Sequence, residues 1–263
     1  MGKIYTIVNQ KGGVGKTTTT INLGAYLGQF DQKVLLVDLD PQANASACLG
    51  VDHNNISTGT YEVLIGEKKP GECILRHDTF KIDIIPSSPN LSGAEIELID
   101  IPSRERLLRN QLAEIKDRYD YILIDCPPSL GLLTLNGLLA AEDGIIIPVQ
   151  SEYLALEGLG QLTRTLDRIR KSFYPDLGIR GVLLTMYDNR TNLSADVMAE
   201  VQKFFPSKVF QSFIPRSIRL AEAPSFGRPI SVYSPSSSGA QAYRALALEV
   251  LKGDGVLLDP GQE

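Results

Sequence analysis

Cysteine is scarce in this 263-residue chain: Cys48, Cys73 and Cys126 lie far apart, with no C-x-x-C spacing. An odd count so arranged argues against a disulfide framework or a zinc site. No apolar run approaches bilayer length, and no charged-then-apolar leader precedes the first strand-like segment, which points to a cytoplasmic protein. Internal repeats and long low-complexity linkers are missing as well. Positive charge is not in excess overall, since the net charge is −5. It is unevenly spread, however: residues 151–250 hold 12 Lys and Arg against 9 Asp and Glu, and the rest holds 14 against 22. That asymmetry fits either a local basic patch or a mixed solvated face. The remainder is ordinary globular composition, 43% hydrophobic and 22% charged, long enough for one large domain with a developed core.

Short β-branched runs recur between helix-like stretches. "KIYTIVN" (3–9), "KVLLVD" (33–38), "KIDIIPS" (81–87), "YDYILID" (119–125), "DGIIIPVQ" (143–150) and "GVLLTMYD" (181–188) are apolar almost throughout. Strands of a parallel sheet covered on both faces have that pattern, where a half-exposed strand would alternate. Helices are predicted over 16–30, 104–119 and 157–173, and a polar turn with serine caps precedes a C-terminal helix within 233–251. The expected fold is α/β: a single-domain, doubly wound, mostly parallel twisted sheet flanked by helices, spanning residues 1–252. Residues 253–263 are expected to form a frayed tail.

The stretch "IYTIVNQKGGVGKTT" is strand, glycine loop, helix, the context of a phosphate-binding loop. The ordinary G-x-x-x-x-G-K-[ST] spacing fails, because Gln10 stands where the first glycine belongs and a second lysine, Lys11, follows it. Gly12, Gly13 and Gly15, with Val14 between, let the backbone turn and aim N–H groups at phosphate, and the helix N-terminus faces the same anion. Lys16 is expected to neutralise β- and γ-phosphates, the Thr17 hydroxyl to ligate Mg²⁺, and Thr18 to add a donor to the α-phosphate. Asp125 ends a buried strand where a Walker-B carboxylate belongs, reaching Mg²⁺ through water, whereas Asp120 reads as a turn residue. Asp38 and Asp40 emerge at another strand's carboxyl edge. Asp40 is the choice for positioning the attacking water; spacing leaves Asp38 open between serving Mg²⁺ and starting the turn. Lys11 is either solvated or supplies charge to a nucleotide held by a second subunit, and spacing does not choose between the two.

Taken in order, "KGGVGKTT", "VLLVDLDPQAN", "DYILIDCPPSLG", "PVQSEYLALEGL" and "IPRSIRLAEAPSFGRPI" resemble the ParA/Soj family of partition ATPases, within the deviant Walker A (MinD/ParA) class. The resemblance runs from about residue 3 to about residue 250. It implies ATP and Mg²⁺ as cofactors, and Lys11 as the signature lysine crossing to the partner's phosphates in an ATP-dependent homodimer. It also implies that Gly12 lies at that interface, Lys16 is needed for binding, Asp40 promotes hydrolysis and Pro215 lies near the adenine. Nonspecific double-stranded DNA and a ParB/Spo0J-like centromere-binding protein are the implied partners, in a nucleoid-associated cytoplasmic location. Arg190 and Arg219 match family positions for DNA contact. Arg216, three before Arg219, is expected on the same face of a helical turn, and Lys203 and Lys208 are weaker candidates. The bland alternative is surface salt bridges to Asp188 or Glu222. The loop begins at residue 11, which is expected to leave no room for the N-terminal helix-turn-helix domain of larger plasmid relatives. A MinD-like membrane-cycling ATPase is the runner-up, but the C-terminal stretch is neutral to acidic and broken by glycines, a poor amphipathic anchor. Iron-protein cluster cysteines are not recognisable, and the three cysteines read as packing residues.

Overall fold

The computed structural model describes residues 2–52, 55–152 and 155–258. Its seven strands are β1 (Lys3–Ile7), β2 (Val34–Asp38), β3 (Leu75–His77), β4 (Ile82–Ile85), β5 (Tyr121–Asp125), β6 (Gly144–Gln150) and β7 (Ile179–Thr185). They lie in the order β3-β4-β2-β5-β1-β6-β7, parallel throughout except for β3, which pairs antiparallel with β4 at one edge. The helices are α1 (Lys16–Gln29), α2 (Asn44–Cys48), α3 (Thr60–Ile65), α4 (Leu91–Glu97), α5 (Leu107–Leu112), α6 (Leu132–Ala140), α7 (Ala155–Ser172), α8 (Asn192–Phe204), α9 (Ile218–Glu222), α10 (Ile230–Tyr233) and α11 (Ser238–Gly253).

Burial on both faces explains why the strands are continuously apolar. Ile4, Leu35, Val37, Ile122 and Ile124 face one cluster, with Leu112, Leu138 and Leu162 from the helices. Tyr5, Leu36, Tyr121 and Leu123 point the other way, to Leu27 of α1 and Leu246 of α11. Removing one such fully buried leucine to alanine costs about 2–5 kcal/mol. Close layer contact also fixes Gly137 in α6, where an added Cβ would stand 2.6 Å from the Cys126 sulfur. There the Thr6 hydroxyl donates to the Gly137 carbonyl at 2.6 Å.

Several expectations need correction. The predicted helix over 104–119 is instead a 3₁₀ turn (Arg104–Arg106), α5, and a second 3₁₀ turn (Lys116–Arg118). Asn136 of α6 explains the break at its start, accepting from Leu108 N at 3.1 Å and donating to Arg104 O at 2.9 Å. The strand predicted at 181–188 runs over Ile179–Thr185, because Met186 turns left-handed with φ 51°. Arg216 and Arg219 do not share a helical turn, since α9 begins at Ile218. The frayed tail was expected from 253, yet Asp254 accepts from Tyr5, Tyr121 and Arg180 at 2.8–3.0 Å; residues 259–263 lie outside the described part, as do Tyr153 and Leu154. The serine cap is present, Ser237 Oγ accepting from Ala240 N. Asp120 ties the start of β2, accepting from Lys33 N at 2.8 Å.

Candidate functional site

β1 sits between β5 and β6 in the sheet, although neither adjoins it in sequence, so the crossovers part on either side of its carboxyl end. Open α/β sheets bind ligands at such a switch point. The loop after β1 needs glycine at two places: Gly13 and Gly15 have φ 74° and 91°, a region that favours glycine. α1 then opens at Lys16, with its first amides directed into the loop. Val14 is buried, and its carbonyl accepts from the Thr185 hydroxyl at 2.8 Å, tying the loop to β7. Gln10, standing where an ordinary loop has its first glycine, buries an amide nitrogen without a partner among the described residues.

Parallel register places Asp38 beside Asp125, and both carboxylates are fully buried. Asp125 accepts from the Thr17 hydroxyl at 2.6 Å and from Thr20 at 3.1 Å. Burial, and next the negative charge of Asp38, push the Asp125 carboxyl up to about 8. Lys16, mostly buried, is held below the usual lysine range by desolvation, and its ammonium donates to the Lys11 carbonyl at 3.2 Å. Such a nest of buried like charges favours a bound cation. The Thr17 hydroxyl spends its proton on Asp125 and keeps its lone pairs, so the hard-oxygen donor set fits Mg²⁺.

Asp38 accepts from the segment that follows β2. Its Oδ2 accepts from the Ser46 amide at 2.8 Å and hydroxyl at 2.7 Å, while Oδ1 accepts from Asp40 N at 3.2 Å. Burial pushes its carboxyl up to about 6. Asp40 instead lines a cleft of about 400 Å³ together with Gly12, Lys16, Thr17 and Thr18, one oxygen accepting from Gln42 N at 2.9 Å. A second hollow of about 280 Å³ adjoins it through Gly15 and Thr18, and Pro215, Leu220 and Tyr243 give it an apolar wall of the kind a planar base occupies.

The family model described as an AAA domain matches residues 2–179. Soj, the sporulation initiation inhibitor protein of Bacillus subtilis, is 52% identical over 95% of this chain and 98% of its own. The chromosome-partitioning ATPase Soj of Treponema pallidum is 49% identical, covering 97% and 99%. This chain belongs to the ParA/Soj family. Among solved structures, cobyrinic acid a,c-diamide synthase from Mycobacterium smegmatis, with bound ADP and magnesium, is 38% identical over 98% of both chains with a TM-score of 0.84.

In this ParA/Soj chain the second lysine is not solvated freely. The Lys11 ammonium lies 3.6 Å from Glu152, and its amide donates to Asn9 Oδ1 at 3.0 Å. The arginines are exposed, Arg190 and Arg216 lining one cleft, and each is held by an acid of its own chain. Arg190 grips Asp188 with two nitrogens at 2.9 and 2.7 Å, Arg219 reaches Glu222 at 2.9 Å, and Arg216 reaches Glu152 at 3.7 Å. Those first two pairs are the salt bridges anticipated as the bland alternative. Lys203 pairs with Glu200 at 2.5 Å, and Lys208 serves through its backbone carbonyl, accepting from Val182 N. Thr20, Thr185 and Glu152 were not recognised from the sequence. The run of threonines at the start of α1 carried a signal for Thr20, which sits one turn beyond Thr17. The three cysteines are free, and the Cys48 thiol at the cleft is pushed up to about 12 by burial.

Proposed function

We propose that the chain is an Mg²⁺-dependent ATPase of chromosome or plasmid partition, acting as an ATP-dependent dimer on DNA. The observation that carries the reading is the Thr17–Asp125 pair beneath a glycine loop with two lysines at its mouth. The loop amides and Lys16 hold the phosphates, and the hollow at Pro215 takes the base. Thr17 and Asp125 would hold Mg²⁺, which would supply charge neutralisation to the γ-phosphoryl group. Asp40, lining the cleft with one oxygen engaged at Gln42, orients the attacking water. Lys11 from a facing copy completes the charge around each nucleotide, with Gly12 at the seam. No Cβ stands at Gly12, and among the described residues nothing lies within 4 Å of where one would be, so the loop leaves room for close approach.

Closure joins two arginine faces. Arg190 and Arg219, with Arg216 beside them, contact phosphates without reading bases, which gives nonspecific, salt-sensitive binding to duplex DNA. A ParB/Spo0J-like partner stimulates hydrolysis and releases the protein from the nucleoid. A MinD-like membrane role is disfavoured by α11, whose apolar residues Tyr243, Leu246 and Val250 are spent on the core. No helix among the described residues is long and apolar enough to cross a membrane. The test is cosedimentation with DNA in ATP and in ADP, alongside phosphate release. ATP-specific retention and Mg²⁺-dependent phosphate release are expected; equal retention in both nucleotides would defeat the reading.

A further inference from the structure

Glu152 is the point at which three parts of the site meet. It follows β6, whose end is fixed to β7 by the Ser151 amide donating to Thr185 O at 3.0 Å. Its Oε2 lies 3.6 Å from the Lys11 ammonium, and its Oε1 lies 3.7 Å from the Arg216 guanidinium. The Gln150 side-chain amide donates to that Oε1 at 2.5 Å, which aims the carboxylate at both cations. Arg216 in turn walls both the hollow at Pro215 and the exposed cleft that contains Arg190. Asp188, itself gripped by Arg190, also feels Arg216.

We infer that Glu152 is a positioning residue that folds Lys11 and Arg216 back onto their own chain before nucleotide closes the pair. This rests on the proposed roles of Lys11 and Arg216. The contacts suit a hold that exchanges readily: both cations lie beyond ordinary hydrogen-bond length, and the carboxylate is 44% exposed. A triphosphate carries more negative charge than one carboxylate, so it outcompetes Glu152 for Lys11 when a facing copy presents it. Loss of Lys11 leaves Arg216 as the cation of the cluster still facing Glu152, so the exchange frees Lys11 and not Arg216. One carboxylate thereby delays the dimer contact until ATP is present.

The test compares wild type, Glu152→Gln, Glu152→Asp and a charge control, Glu200→Gln, whose carboxylate pairs with Lys203 on α8. The first readout is the ATP concentration giving half-maximal dimer by light scattering. Glu152→Gln is expected to need about three- to tenfold less ATP, the scale of two weak ion pairs, with Glu152→Asp near wild type and Glu200→Gln unchanged. An equal or higher requirement in Glu152→Gln, while wild type dimerises, overturns the inference. The second readout needs no dimer: acylation of Lys11 by an N-hydroxysuccinimide ester in nucleotide-free protein, measured by peptide mass spectrometry relative to Lys33. Faster labelling of Lys11 in Glu152→Gln supports the hold, and unchanged labelling overturns it. If wild type never dimerises, the functional reading fails instead, and the labelling result still decides whether Glu152 holds Lys11.

Discussion

The phosphate loop and the arginine face are both clusters of charge, but they are built in opposite ways. Around the loop, Asp38 and Asp125 are 0% exposed and bonded to fixed donors from α2 and α1. Elsewhere, the side chains of Arg190, Arg216 and Arg219 are 85%, 71% and 59% exposed, and their acid partners are themselves 33%, 44% and 38% exposed. Buried charges are costly to rearrange, so the loop is organised before its ligand arrives. Exposed pairs exchange partners cheaply, so the arginines can trade a carboxylate for a phosphate. The difference suits a site where geometry decides chemistry and a surface where only the number of contacts matters.

Substitutions on each side should therefore fail in different ways. The largest effect is expected at Asp40: Asp40→Ala should lower ATP turnover by about 10²–10⁴-fold, the usual worth of a positioned proton acceptor, while leaving ATP affinity within about threefold. Stopped turnover with retained calorimetric binding is the signature; ordinary turnover removes Asp40 from the reaction. Next is Asp38→Ala, which strands the Ser46 amide and hydroxyl and the Asp40 amide. A loss of about 2–4 kcal/mol is expected in urea unfolding, with Mg²⁺ affinity of the folded fraction unchanged. If Mg²⁺ affinity falls tenfold instead, Asp38 belongs with the metal. The smallest effect is on the arginine face. Arg190→Ala with Arg219→Ala should leave the urea midpoint unmoved and reduce the slope of log affinity against log salt by about 2 per chain. An unchanged slope would place the DNA contacts elsewhere.

The doubly wound sheet was legible because burial on both faces leaves a plain apolar signature in six strands. β3 escaped notice because Leu-Arg-His is short, polar in part and edge-placed. The helix expected over 104–119 failed for a different reason. Its apolar spacing is helical, yet Asn136 from another helix claims the backbone groups near its start. Within the site, strand–loop–helix order was enough to bring Lys16, Thr17 and Asp125 together. Spacing could not divide Asp38 between two roles, because its bonds come from Ser46, eight residues on, whose approach no local pattern announces. Glu152 was invisible for a related reason: its partners come from two remote stretches, one before β6 and one after β7.

The central claim is that ATP joins two copies through Lys11. It is tested most directly by the solution mass, from sedimentation velocity, of wild type and Lys11→Ala in ADP and in a non-hydrolysed ATP analogue with Mg²⁺. The account predicts a dimer for wild type in the analogue alone, and a monomer in every other sample. A wild-type monomer at all concentrations, or a Lys11→Ala dimer as stable as wild type, would contradict it.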